Sequence, residues 1–374
     1  MTRRSSERRR PARFASTPAT AGYRMPAEWE SHRASWLVWP HNRADWEVKT
    51  AAIDWCYVEM VRQLVGGERV GLVCRDTAVS RRAEDRLRRG GVDMTAVDRV
   101  VAPTNRSWIR DTGPIFVTRP TVGGGRVVAA TDWGFNGWGR YRVWEHDNAL
   151  PRRLARHLDL SRFPVRARDG QRSRAIVLEG GSIDVNGRGL LLTTEACLLG
   201  EFQARNPGMP RAEIERALGD YLGVQRVLWL AGGIAGDDTN GHVDDVARFV
   251  APDTVVAAWE PDRLDVNHGT LAENLKRLRG MRDLRGQRLR IVRLPMPRPV
   301  YFEGDRLPAS YLNFYIANRS VLVPTFNDPA DRVALTRLAA LFPSRDVVGI
   351  HAGDLILGLG AVHCLTQQEP ATSL

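Results

Sequence analysis

Five short polar clusters flanked by small residues recur along this chain at long, similar intervals, and they constrain its fold more than any other feature. They are Trp108-Ile109-Arg110-Asp111-Thr112-Gly113-Pro114, Leu178-Glu179-Gly180-Gly181-Ser182, Gly241-His242-Val243-Asp244, Asn313-Phe314-Tyr315 and His363-Cys364. From Asp111 through Glu179, His242 and Asn313 to Cys364 the intervals are 68, 63, 71 and 51 residues. Strand-like apolar runs at 70–73, 115–117, 175–178, 189–192, 227–230, 254–258, 289–294 and 321–324 alternate with helical periodicity at 51–65, 81–89, 211–222 and 271–278. No Pro/Gly/Ser-rich linker divides the chain, so the alternation predicts one integrated α/β domain over 23–374. The intervals point to a pseudo-symmetric ring of five ββαβ units, each offering one polar loop to a shared centre. Chance spacing of five clusters is the alternative.

Charge narrows the function classes. The formal net charge is +11, but seven arginines (Arg3, Arg4, Arg8, Arg9, Arg10, Arg13 and Arg24) against Glu7 place +6 of it in residues 1–24. Rich in Arg, Ser, Pro and Ala, residues 1–22 read as a disordered, solvated basic tail rather than a nucleic-acid arm. No apolar run approaches the ~20 residues that crossing a bilayer requires, and the N-terminus lacks the apolar core of a secretory signal. A cytoplasmic protein with neither a membrane nor a nucleic-acid partner is expected. The four cysteines, at 56, 74, 197 and 364, show no C-x-x-C spacing and are expected to be reduced thiols. Cys56, Cys74 and Cys197 lie in apolar-patterned segments and read as inert small hydrophobes. Cys364, set between Gly358-Leu359-Gly360 and Gln367-Gln368, reads as a nucleophile, which needs a base or a positive neighbour.

A shared centre would hold the Cys364 thiol, the His242 imidazole and the carboxylates of Asp111, Glu179 and Asp244, an acid-rich site in a basic protein that suits a cationic substrate. With Asp244 two positions from His242, the pair is expected to share one strand face, Asp244 orienting the base. His363 would point away from Cys364 in extended backbone and read as structural. Singly, each residue has a plainer reading: a hydrogen-bonded core histidine, a Glu-Gly-Gly turn, an Arg110–Asp111 surface pair. A metal bound by His242, Asp244, Asp237 and Asp238 is the weaker alternative, because no second histidine has ligand spacing; neither metal nor cofactor is expected. Among the tryptophans of the N-terminal half, mostly core by composition, Trp108 is the one expected to face a bound cation.

Six stretches together resemble a known family: Met25-Pro26-Ala27-Glu28-Trp29-Glu30, Trp36-Leu37-Val38-Trp39-Pro40, Ser107 to Pro114, Leu178-Glu179-Gly180-Gly181-Ser182, Asn240-Gly241-His242-Val243-Asp244 and His363-Cys364-Leu365-Thr366-Gln367-Gln368. In order, from about residue 23 to residue 370, they are similar to the agmatine deiminases and bacterial peptidyl-arginine deiminases. The resemblance implies the five-bladed α/β propeller of the guanidino-group-modifying enzymes, with Cys364 as nucleophile and His242 as general acid/base. It further implies Asp111 and Asp244 as guanidinium-binding carboxylates and Glu179 as the acid supporting the histidine; Trp108, Arg106 and Asn240 are the residues expected to bind substrate. The implied reaction turns a guanidine into a urea with loss of ammonia, through an S-alkylthiouronium intermediate and without a cofactor. Agmatine, giving N-carbamoylputrescine for putrescine synthesis, is the leading substrate; arginine, peptidyl-arginine, or amidine transfer by the same thiol are the alternatives, and a homodimer is a family-level expectation. One departure stands out: agmatine deiminases commonly have acidic residues just before the Ser-Trp, where this chain has Asn105-Arg106. An Arg106 facing the pocket would favour a substrate carboxylate over the ammonium of agmatine.

Overall fold

The computed structural model describes residues 17–46, 49–169 and 172–373. Its sheets repeat one order of connection: an antiparallel pair, a helical crossover, then a strand parallel to the second of the pair. Ile115–Pro120 pairs antiparallel with Arg126–Asp132, and Ser161–Pro164 joins it in parallel after the helix Leu150–His157. Asp184–Val185, Leu190–Thr194 and Arg226–Leu230 repeat this order around the helix Arg211–Leu222. Ala247–Ala251, Thr254–Trp259 and Arg290–Pro295 do so around His268–Gly280, and Tyr315–Ile316, Ser320–Thr325 and Asp346–His351 around Pro329–Leu341. In the remaining case the two ends of the chain meet. The late strand Gln367–Pro370 lies antiparallel to His32–Val38, which crosses through Thr50–Leu64 to Arg69–Cys74, and Val97–Val101 adds a fourth strand. Two short two-stranded ribbons complete the sheets among the described residues.

The physics of these units is local. Parallel neighbours cannot be joined by a tight turn, so each needs a crossover, and its helix covers one sheet face. Leu190–Thr194 is buried at every position, as a strand covered on both faces must be. The helix Pro329–Leu341, whose apolar spacing did not single it out, is started by an Asp328/Asp331 capping box and a proline in its first turn. The helices expected near 51–65, 81–89, 211–222 and 271–278 are Thr50–Leu64, Thr77–Arg89, Arg211–Leu222 and His268–Gly280. The strand expected at 175–178 is corrected to the end of Arg172–Ala175 and a single bridge from Val177 to Gly134.

The repeat explains the spacing of the polar clusters. Every cluster sits just before the first strand of a unit: Asp111 before Ile115, Glu179 before Asp184, Asp244 before Ala247, Asn313 before Tyr315 and Cys364 before Gln367. The described residues thus form a mixed α/β fold of several small sheets with equivalent loops at equivalent positions. Of the expected tail, residues 1–16 lie outside the described residues. Residues 17–22 do not meet the expectation of disorder: they form turns, with the Ala19 N–H donating to the Asp220 carbonyl at 3.0 Å and the Tyr23 N–H closing back on Pro18 at 2.9 Å. No helix among the described residues is long and apolar enough to cross a membrane.

Candidate active site

Four of the loops bring titratable groups together around Gly181, which needs its missing side chain. A Cβ on Gly181 would lie 2.6 Å from His242 Nδ1, 2.8 Å from Asp111 Oδ1 and 3.1 Å from Asp244 Oδ2. The Gly181 N–H donates to Asp111 Oδ1 at 2.9 Å, so the backbone itself fills the gap between these side chains. Asp111 stands in the one-turn helix Ile109–Thr112, and its Oδ2 accepts the Trp138 indole N–H at 2.9 Å. Glu179 and His242 each precede a 3₁₀ turn, Gly180–Ser182 and Val243–Asp245. His242 and Asp244 therefore flank a turn and do not share a strand face as expected, yet the turn delivers both to the same centre.

Cys364 reaches that centre through Asp244, whose Oδ2 lies 3.7 Å from its sulfur. The Asn313 side chain fixes the thiol from the other direction: Nδ2 donates to Sγ and to Asp245 Oδ1, both at 3.1 Å, while Oδ1 accepts the His363 N–H at 2.9 Å. His363 bridges two acids, Asp244 at 2.7 Å through Nδ1 and Glu28 at 2.8 Å through Nε2, which is the structural role expected of it. Only one oxygen of Asp244 is used in this way. Its Oδ1 is buried with no hydrogen-bond partner, and neither ring nitrogen of His242 has one, although Asp111 Oδ1 and Glu179 Oε2 approach to 3.8 and 3.5 Å. Unpaired buried acceptors and donors are costly, and such a set is poised for an external donor.

The charges respond to this crowding. Burial pushes the Asp111 carboxyl up to about 6, against the pull of His242 and with the help of Asp244 and Glu179. For Glu179 burial works the same way but is outweighed by Arg205, whose Nε lies 3.0 Å away, and by His242, so its carboxyl falls below the ordinary value. Asp244 is likewise brought down, against burial, by His363. Burial disfavours a charged His242, yet Asp111 and Glu179 prevail and hold the imidazole well above its usual range. Burial, then Asp244, Asp245 and Asp111, push the Cys364 thiol well up, so it rests as a neutral thiol.

A cavity opens onto the sulfur, lined by Trp108, Asp111, Trp138, Tyr141, Asp238, Arg106 and Cys364. Trp108 lines it as expected. Arg106 lines it too, but its guanidinium is paired with Asp45 and stacked 4.1 Å over the Tyr141 ring, so its charge is already answered. Asn240 is a correction. Its backbone is left-handed at φ 63°, and its amide is spent on the Ala196 and Phe202 carbonyls at 2.9 Å each, where it shapes the loop that carries His242. Asp237, considered as a metal ligand, instead accepts the Gly241 N–H at 2.7 Å within the same loop.

Several residues escaped the sequence reading. Trp138 sits at φ 57° between two glycines at φ 67°, a left-handed run that aims its indole at Asp111; the Gly-Trp-Gly triplet was the available signal. Tyr141 donates to Asp238 at 2.6 Å, so one of the paired aspartates belongs to the cavity. Cys197 is buried in the core with Leu191 and Leu198, as its apolar pattern suggested, but its sulfur also lies beside His242 and Glu179, which nothing in its leucine-rich surroundings announced.

Residues 24–370 match the family model described as Porphyromonas-type peptidyl-arginine deiminase. The chain belongs to that family. It is 37% identical to an agmatine deiminase of Pseudomonas aeruginosa (strain LESB58), over 95% of this chain and 98% of that one. Among solved structures, the agmatine deiminase of Enterococcus faecalis superposes with a TM-score of 0.85 at 31% identity, covering 96% of this chain and 98% of the other. A C. jejuni agmatine deiminase with substrate bound does so with a TM-score of 0.81 at 28% identity, covering 94% and 97%. Membership of this deiminase family agrees with the resemblance drawn from the six stretches.

The contacts around Gly181 yield a sharp test. Gly181→Ala should force His242, Asp111 or Asp244 aside; circular dichroism should show folded protein, while kcat/KM for a guanidino substrate falls on the order of 100-fold, as ångström-scale misplacement of catalytic groups does. Wild-type turnover in this variant would mean that these three side chains need not be held together.

Proposed function

We infer that the chain is a cofactor-independent agmatine deiminase, converting agmatine to N-carbamoylputrescine and ammonia through a thiouronium on Cys364. We further infer that residues 23–374 act as one catalytic domain, the five ββαβ units forming a five-bladed propeller around this site. The observation that carries the reading is a buried thiol 3.7 Å from Asp244 Oδ2, in a cavity that Asp111 also lines, with Asp244 Oδ1 left unpaired beside it. A planar guanidinium answers this set. It presents paired N–H donors to two carboxylates and brings the positive charge that the thiol lacks. Its arrival cancels the field that holds the Cys364 proton, which passes to solvent because His242 is already charged, so binding itself generates the nucleophile.

The thiolate adds to the central guanidinium carbon. His242, charged in the resting site, gives its proton to one nitrogen, and ammonia leaves as the C–N bond breaks. The ring, now neutral, takes a proton from water, the resulting hydroxide attacks the thiouronium, and collapse expels the sulfur as thiolate, which takes up the hydroxyl proton as the ureido product forms. Glu179, held by Arg205, keeps a negative charge beside His242 through both proton transfers. At the outer part of the cavity the Arg106 charge is matched by Asp45, leaving Asp238 as the acid available for a distal ammonium, which favours agmatine.

The central experiment measures ammonia and ureido product from agmatine, arginine and short arginyl peptides. Wild type should release ammonia fastest from agmatine and Cys364→Ala not at all; release by the variant at a comparable rate would sink the covalent route. The pH profile follows from the two groups in the free enzyme. Below about 6 protonated Asp111 can no longer hold a guanidinium, and the Cys364 thiol loses its proton only as pH rises, so kcat/KM should climb from pH 5 through neutrality. A profile flat or falling over that range contradicts this assignment. Asp238→Asn should raise KM for agmatine about tenfold or more and leave kcat within about twofold, the signature of a uniform binding contact; equal KM values would remove Asp238 from the substrate site.

A further inference from the structure

A second thiol stands in the acid–base half of the site, and the mechanism above makes no use of it. Cys197, Glu179 and His242 each offer one donor atom, and these atoms lie within 4.8 Å of one another. Each side chain comes from a different element: Glu179 from the loop before Asp184, Cys197 from the helix Glu195–Leu199, and His242 from the loop before Ala247. We propose that these three side chains form a binding site for a thiophilic divalent cation, of the zinc or cadmium class, and that its occupation inhibits the enzyme. The inhibitory consequence rests on the acid–base role inferred for His242; the binding does not.

The donor set is the first argument. One carboxylate oxygen, one sulfur and one imidazole nitrogen match what zinc takes in a site with three protein ligands and an open position, and a sulfur ligand selects against magnesium and calcium. Geometry is the second. His242 Nε2 and Glu179 Oε2 are 3.5 Å apart, close to the edge of about 3.4 Å in a tetrahedron with arms of about 2.0–2.1 Å. The third is the setting of the imidazole: the ring is 1% exposed and neither nitrogen has a hydrogen-bond partner, so no protein group competes for Nε2 when the ion displaces its proton, and that of the Cys197 thiol, to solvent.

The ligands are also held in place beforehand. Thr194 Oγ1 accepts the Cys197 N–H at 3.1 Å and itself donates to the Gly241 carbonyl, tying the cysteine helix to the histidine loop. Asp111, 3.8 Å from Nδ1 on the far side of the ring, adds negative charge that favours the ion. Arg205 opposes it, since its guanidinium already engages Glu179. That opposition points to a reversible regulatory or poisoning site rather than a permanent structural one. With the metal on Nε2 the ring can neither protonate a leaving nitrogen nor take a proton from water.

The full-length protein can be titrated with Cd²⁺ while thiolate-to-metal charge-transfer absorption is followed in the ultraviolet, with hydrolysis measured separately. Wild type and Cys364→Ala should show the same saturable one-equivalent band, and Cys197→Ala should lose it. Measured against its own metal-free rate, Cys197→Ala should need at least tenfold more Cd²⁺ than wild type for half-inhibition, and EDTA should restore activity in wild type. Cys197→Ser, closer in size, serves as the second variant should alanine unsettle the packing. A band that survives both Cys197 substitutions, or that vanishes in Cys364→Ala, would overturn the proposal, as would the lack of any band at stoichiometric metal. Because the band is read without turnover, this test stays decisive even if agmatine is not hydrolysed.

Discussion

The carboxylate of Glu28 is where the repeated units are tied to one another. It pairs with Arg110 at 3.2 Å, Arg248 at 2.9 Å and His363 at 2.8 Å, and accepts the Ile316 N–H at 2.8 Å. Those partners come from four of the units, and Arg248 adds the remaining one through its ion pair with Asp184. Removing one partner from such a buried network strands the others' charge, at a cost of about 3–5 kcal/mol. Everything at the catalytic centre hangs from this knot, because His363 hands it on to Asp244 and the Arg110 backbone N–H binds the Cys364 carbonyl.

The site works by dividing its carboxylates into two kinds. Glu179 and Asp244 each have a close hydrogen-bonding partner already in the protein, Arg205 and His363, and are brought down despite burial. Asp111 and Asp245 have only the weaker pull of His242, and burial drives both upward. Asp111 and Glu179, one of each kind, hold His242 up, while the second kind, where burial prevails, leaves the deficit that a cationic ligand would make good. In the mechanism inferred above, a thiol placed in that deficit would keep its proton until a cation arrives, which would link nucleophile activation to substrate recognition.

Much of this was legible in sequence because each candidate catalytic residue sits in a loop entering a first strand, and such loops carry Gly, Asp and Asn for reasons of turn chemistry. The five-cluster spacing reflected one supersecondary unit repeated five times. Glu28 lay inside a recognised stretch, yet a single acid near the N-terminus gives no hint of four distant partners. Asn240 was misread for the opposite reason: a polar residue in a catalytic motif can serve the loop's left-handed backbone instead of the substrate. Arg106 illustrates the limit of charge reasoning, since its effect depends on Asp45, a residue 61 positions away in the chain.

Residue identity and local pattern alone determined the nucleophile candidate, the acid-rich character of the centre, the family and the alternation of helix and strand, since all of these follow from nearest-neighbour chemistry and short periodicities. Which groups are charged, which thiols meet the histidine, and which polar side chains face the cavity were decided only by tertiary structure. Electrostatic energies depend on separations of a few ångströms and on exclusion of water, and folding sets both between residues that lie tens to hundreds of positions apart.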